Sequence, residues 1–262
     1  MPMARVNGFN INYKVEGQGE PLVMLMGLSA ALGAWSSQVP LLKKYYRVIR
    51  LDNRGAGKSD KPAGPYTTKM MADDTVGLMD RLGIEKANFM GVSMGGMIAQ
   101  EIAINYPQRV NKLILASTYA CNDNQLNGAT AEMINAGPLG GTTRLISLAF
   151  NKRFNRFYFN FMIWIYSIFA SATKGDLNKK GIVSQTEACL KHNTVERLAY
   201  IDVPTLVIAG TADRVVKPSS SNTLVQKIPH ARLCKIEDGS HTCFLEMKRI
   251  FNKEVLNFLR NG

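Results

Sequence analysis

The stretch "FMGVSMGG", Phe89 to Gly96, decides the reading of the chain. Ser93 stands between glycines two positions away on either side, after an apolar run and ahead of a segment with helical rhythm. Two meanings compete: a nucleophile lifted on a sharp strand-to-helix turn, or a polar residue in a tight connection. Small residues at Gly91 and Gly95 suit the first, because a Cβ at either would collide where strand and helix pass closely. The pattern alone is weak in a chain with 22 glycines, so its surroundings must decide.

Outward from this stretch, apolar runs of similar length recur at 20–27, 45–52, 86–93, 110–117, 203–210 and 231–238. They are continuous rather than alternating, as strands buried on both faces are. Segments with a 3.6-residue rhythm lie between most of them, such as Val76, Met79 and Leu82 before Gly83, or Met97, Ile98 and Ile102 before Pro107. This alternation predicts an α/β fold, a mostly parallel central sheet with helices on both faces. Asn7-Gly8 between two extended stretches predicts an antiparallel hairpin at the sheet edge.

Residues 122–198 break the rhythm and are expected to form an inserted helical lid on a core made of 1–121 and 199–262. The most apolar part of the chain, "FYFNFMIWIYSIFASA" (157–172), is shorter than the ~20 residues of a membrane span and is expected to lie over the core as a helix. Its Phe161 and Trp164, together with Trp35, are the expected substrate-binding residues of a mainly apolar pocket. Docking of this segment on lipid, aided by Lys152, Arg153, Arg156 and Lys174, is the subordinate reading.

A length of 262 residues with 46% hydrophobic content suits one sizeable core and argues against disorder. The net charge of +12 comes from dispersed residues without a basic run or an aromatic-basic repeat, so a solvated surface is expected rather than a nucleic-acid partner. The four cysteines show no C-x-x-C pair, which argues against a disulfide framework or a cysteine zinc site, and no metal is expected. The N-terminal "MPMARVNGFNINYKVEGQGE" lacks the apolar stretch of a secretory signal, and a cytoplasmic setting is expected.

If Ser93 is a nucleophile, a base must take its proton. Of three histidines, His192 ends the insertion and His230 precedes a strand, where structural roles are commoner; His241, in "EDGSHTCF", follows the last strand at the carboxyl edge. A carboxylate must then hold the imidazole tautomer. Asp213, in "VIAGTADRVV", follows a strand on the same edge, although a lone aspartate there is more often a turn or capping residue. Asp202 belongs to the opposite edge, Glu237 and Asp238 are close in sequence to His241, and Asp123 is the alternative at the insertion boundary.

The segments "LMGLSA", "RLDNRGAGKSD", "GVSMGG", "AGTADRVV" and "DGSHTCF" together resemble the α/β-hydrolase family over nearly all of the chain outside the insertion. The resemblance implies Ser93 as nucleophile, Asp213 as acid and His241 as base, with an oxyanion hole from the backbone N–H groups of Leu28 and Met94. Many members carry His-Gly where this chain has Met26-Gly27. "RGAGKS" also invites a phosphate-loop reading, but Asp52 stands where the first glycine is needed and Lys61, Pro62, Gly64 and Pro65 deny the following helix. The residues of that stretch are expected instead to form a polar turn bracing the serine's turn.

The expected activity is cofactor-independent hydrolysis of a small-molecule carboxylic ester or lactone, enol-lactonase-like or carboxylesterase. A C–C bond hydrolase or perhydrolase with the same triad is the alternative. A receptor that keeps the fold but barely turns over is the rival from another class.

Overall fold

The computed structural model describes residues 2–122 and 176–261. β1 (Met3–Val6) and β2 (Phe9–Glu16) pair antiparallel with Val6 opposite Phe9, so Asn7 and Gly8 alone make the turn. Their φ values of 47° and 87° belong to the hairpin turn that asparagine and glycine adopt most easily. β3 (Glu20–Leu25), β4 (Tyr46–Leu51), β5 (Ala87–Val92), β6 (Val110–Ala116), β7 (Thr205–Gly210) and β8 (Ala231–Ile236) complete an eight-stranded sheet in the order β1-β2-β4-β3-β5-β6-β7-β8. β3 to β8 run parallel, whereas β1 and β2 are antiparallel additions at one edge.

Alternate residues of the central strands feed two separate cores. Val23, Phe89, Leu113 and Val207 face one, while Met24, Met90, Ile114 and Ile208 face the other. Both faces are thus apolar, which is why the runs are continuous in the sequence. The first core is covered by α1 (Thr68–Arg81) and α2 (Met94–Asn105), through Met71, Met79, Met97 and Ile102. The second is covered by α5 (Lys248–Asn261), through Phe251, Val255 and Phe258. α1 starts where the Thr67 hydroxyl accepts the Met70 N–H at 3.0 Å, and it stops ahead of Gly83 at φ 63°.

α3 (Asp176–Lys191) lies within the expected insertion, and α4 (Ser219–Lys227) packs between β7 and β8. Residues 157–172, with Phe161 and Trp164, lie outside the described residues, as does Asp123. Among the described residues, no helix is long and apolar enough to cross a membrane. Cys189, Cys234 and Cys243 are free thiols.

Candidate active site

Ser93 joins β5 to α2 at φ 56° and ψ −122°, a backbone state that costs a non-glycine residue ~1–3 kcal/mol and persists only where neighbours enforce it. The enforcement is visible. Its N–H donates to Ala116 C=O at 2.9 Å, and its carbonyl accepts the Gly96 N–H and the Thr118 hydroxyl, both at 2.8 Å. A Cβ at Gly91 would strike the Gly95 carbonyl, and one at Gly95 would strike the Leu25 carbonyl. Gly96 answers a different demand, since its Cβ would meet the Thr118 side chain at 2.6 Å. The Ser93 side chain is half-buried, not sealed in the core.

The loop after β3 lies directly beside it: a Cβ on Gly27 would stand 3.2 Å from Ser93 Cβ and 3.6 Å from its hydroxyl oxygen. Among the described residues, neither the Leu28 N–H nor the Met94 N–H, at the start of α2, has a hydrogen-bond partner.

The segment after β4 holds this loop in place. The buried Asp52 carboxylate accepts the Leu32 N–H at 2.6 Å and the Lys58 N–H at 2.8 Å, while Asn53 Nδ2 donates to Met26 C=O at 3.0 Å. Met26 contributes its side chain to the second core, so the position often held by histidine in the family does apolar packing here and Asn53 fixes its backbone. Arg54 forms two bonds to Asp74, at 2.5 and 2.6 Å, and lies against the Phe9 and Tyr66 rings. The expected polar turn thus exists, but it braces the loop before the serine rather than the serine's own turn. Gly57-Lys58-Ser59 belongs to that turn, and no helix begins until α1.

Asp213 lies just past β7 and His241 past β8. Asp213 Oδ1 accepts the Val215 and Val216 N–H groups at 2.8 and 2.9 Å, which leaves Oδ2 to meet His241 Nδ1 at 2.9 Å. Both residues are buried. The turn carrying His241 is held above the end of β6, where Cys243 Sγ stands 4.0 Å from Ser117 Oγ, next to the Ala116 carbonyl that binds Ser93. The structure therefore brings Asp213 and His241 into contact and places Ser93 on the same edge. No hydrogen bond joins Ser93 to His241 among the described residues.

The other candidates separate cleanly. His192 is enclosed, its Nδ1 2.9 Å from Thr68 Oγ1, and burial pushes its pKa down to about 4, so it stays neutral inside the fold. His230 is exposed rather than half-buried, and pairs with Asp202 at 3.0 Å. Glu237 accepts the Thr211 hydroxyl instead of reaching His241. Trp35 is a correction: expected at the substrate, it is 0% exposed in the second core, 5.6 Å from the Phe244 ring. It fills the wedge between the sheet and the C-terminal helices. Asn53 lies in the quoted stretch 50–60, whereas Thr118 and Gln185, whose contacts also shape the site, carry no local signal that would have singled them out.

A family profile described as the alpha/beta hydrolase fold matches residues 20–168 and 169–247. The chain belongs to the α/β-hydrolase family. It is 30% identical to 3-oxoadipate enol-lactonase 2 of Acinetobacter baylyi over 249 residues, covering 94% of this chain and 91% of that one. It is also 30% identical to 2-hydroxy-6-oxononadienedioate/2-hydroxy-6-oxononatrienedioate hydrolase of Comamonas testosteroni over 275 residues, covering 98% and 93%. The enol-lactonase from Burkholderia xenovorans superposes with a TM-score of 0.85 at 29% identity, over 99% of this chain and 100% of that one. Hydrolase activity is the chemistry these relatives share.

Proposed function

We propose that the protein is a serine hydrolase that cleaves a carboxylic ester or lactone through an acyl-enzyme on Ser93. The observation that carries this reading is the Asp213–His241 contact on the sheet edge where the strained Ser93 turn also emerges. With Nδ1–H committed to Asp213, the imidazole offers Nε2 as the base. The Ser93 hydroxyl loses its proton to Nε2 as its oxygen adds to the carbonyl carbon. The carbonyl oxygen, now anionic, takes the Leu28 and Met94 N–H groups, each contributing ~3 kcal/mol in the transition state. Collapse expels the alcohol, which leaves with the proton from His241, and in a lactone remains tethered. Water, deprotonated by His241, then releases the acid and restores Ser93.

Lactone or enol-ester substrates are favoured within this class by the likeness to two enol-lactonases. Residues 122–198 act as a lid in this reading, supported by the seating of α3 over the loop after β4. The second reading, C–C bond hydrolysis with the same triad, rests on the likeness to the Comamonas enzyme.

The test is a panel of p-nitrophenyl esters, lactones and 2-hydroxy-6-oxo-dienoates, with fluorophosphonate labelling. The wild type is expected to be labelled at Ser93 and to turn over esters or lactones repeatedly, with Ser93→Ala losing up to ~10⁶ in kcat. Retention of most activity by Ser93→Ala refutes the assignment. Turnover of dienoates alone selects the second reading, and labelling without repeated turnover selects a receptor.

A further inference from the structure

One side chain of α3 reaches the loop beside Ser93. Gln185 is fully enclosed, and its amide is divided between two backbone segments: Oε1 accepts the Ser29 N–H at 2.8 Å, and Nε2 donates to the Arg54 carbonyl at 2.7 Å. Ser29 follows Leu28 directly and sits at φ 58°, in the same strained region as Ser93. A non-glycine residue in that region costs ~1–2 kcal/mol, and a buried hydrogen bond contributes about 0.5–1.5 kcal/mol. These magnitudes are close, so losing the Gln185 bond removes much of what holds Ser29 there. Relaxation at Ser29 passes through its peptide bond to Leu28 and turns the Leu28 amide.

The helix is seated for this contact by close backbone approach. A Cβ on Gly181 would run into the Gly55 carbonyl, and one on Gly64 into the Ser184 hydroxyl. Arg54 and Gly55 belong to the same turn, so Gln185 ties the loop after β3, the loop after β4 and α3 into one unit. By taking the Ser29 N–H, it also withdraws a third donor and leaves those of Leu28 and Met94 for the oxyanion.

We propose that Gln185 is a positioning residue for the oxyanion hole, through which the docking of α3 sets the orientation of the Leu28 N–H. The proposal rests on the serine-hydrolase reading above. It is tested with Gln185→Met, which keeps the length and loses both hydrogen bonds, and with Gln185→Glu, which keeps an acceptor for Ser29. Each is compared with the wild type for kcat, KM and inhibition by a trifluoromethyl ketone, whose carbonyl carbon takes the Ser93 oxygen and whose own oxygen becomes the oxyanion.

Gln185→Met is expected to lower kcat about 10–100-fold, with KM within about twofold and ketone affinity weakened by the same factor as kcat. Gln185→Glu is expected to recover part of the loss. Unchanged kcat in Gln185→Met, a rise in KM alone with ketone affinity intact, or no recovery in Gln185→Glu overturns the proposal. If Gln185→Met does not fold, Gln185→Ala, which also removes both hydrogen bonds, takes its place, and wild-type kcat and ketone affinity there overturn the proposal. A wild type inert to esters and to the ketone alike overturns the serine-hydrolase reading and this proposal together.

Discussion

Asp213→Asn separates a catalytic role for the Asp213–His241 pair from a structural one, because the structure dictates how the amide must sit. Oδ1 of Asp213 faces two backbone donors, the Val215 and Val216 N–H groups. An asparagine can keep an oxygen there only by turning its NH₂ toward His241. The reverse orientation leaves two buried N–H groups unmet, at about 1–3 kcal/mol each, so it loses by roughly 2–6 kcal/mol. The NH₂ then donates to Nδ1, the ring proton moves to Nε2, and the base is occupied. This tautomer inversion is worth about 10⁴ in kcat in serine proteases, or roughly 5 kcal/mol. The assay is steady-state turnover of whichever ester the wild type accepts, alongside a thermal melt. A loss near 10⁴ with an almost unchanged melt is the expected result. Retention of more than about a tenth of kcat would refute the reasoning, since a wrong tautomer cannot serve as a base.

Two predictions concern stability. His192 has its pKa pushed from 6.5 down to about 4 by burial, with the Glu101 carboxylate raising it and the Arg197 guanidinium lowering it by smaller amounts. Because the unfolded chain binds the proton first, stability is complete above about pH 6.5 and falls by about 3 kcal/mol as the pH drops through about 4. Urea titrations at several pH values should show this slope in the wild type and a flatter one in His192→Gln; identical slopes would contradict it. Arg54→Met leaves Asp74 buried without its cation and should cost about 3–5 kcal/mol by the same titrations at pH 7, while a cost below about 1 kcal/mol would mean the pair is inconsequential.

The strands were legible because burial on both faces writes them as unbroken apolar runs, and the hairpin because Asn7-Gly8 suits one turn geometry. Ser93, Asp213 and His241 stood out because each follows a strand on one edge, so independent weak signals agreed. Gln185 was not legible: its partners lie far away in sequence, and a glutamine inside a helix has no distinguishing pattern. Trp35 misled for the opposite reason. A large aromatic just past the site's loop suggests a ligand platform, but the cleft between sheet and α5 needs a bulky filler there. His230 looked structural from its place before a strand, yet only the fold shows that this corner faces solvent.

At the neck of the region between β6 and β7, Cys121 bridges Asn193, and the Thr194 N–H donates to the Ala120 carbonyl at 2.8 Å. Leu113 to Ala116 already run alongside Thr205 to Ile208, so the two ends of the insert are fixed at neighbouring-strand spacing by contacts that do not depend on what they enclose. Because closing a longer loop between fixed ends costs little more than closing a short one, this arrangement is a socket. The same sheet can therefore carry a different stretch of chain between β6 and β7, provided the newcomer offers its own acceptor for the Ser29 N–H.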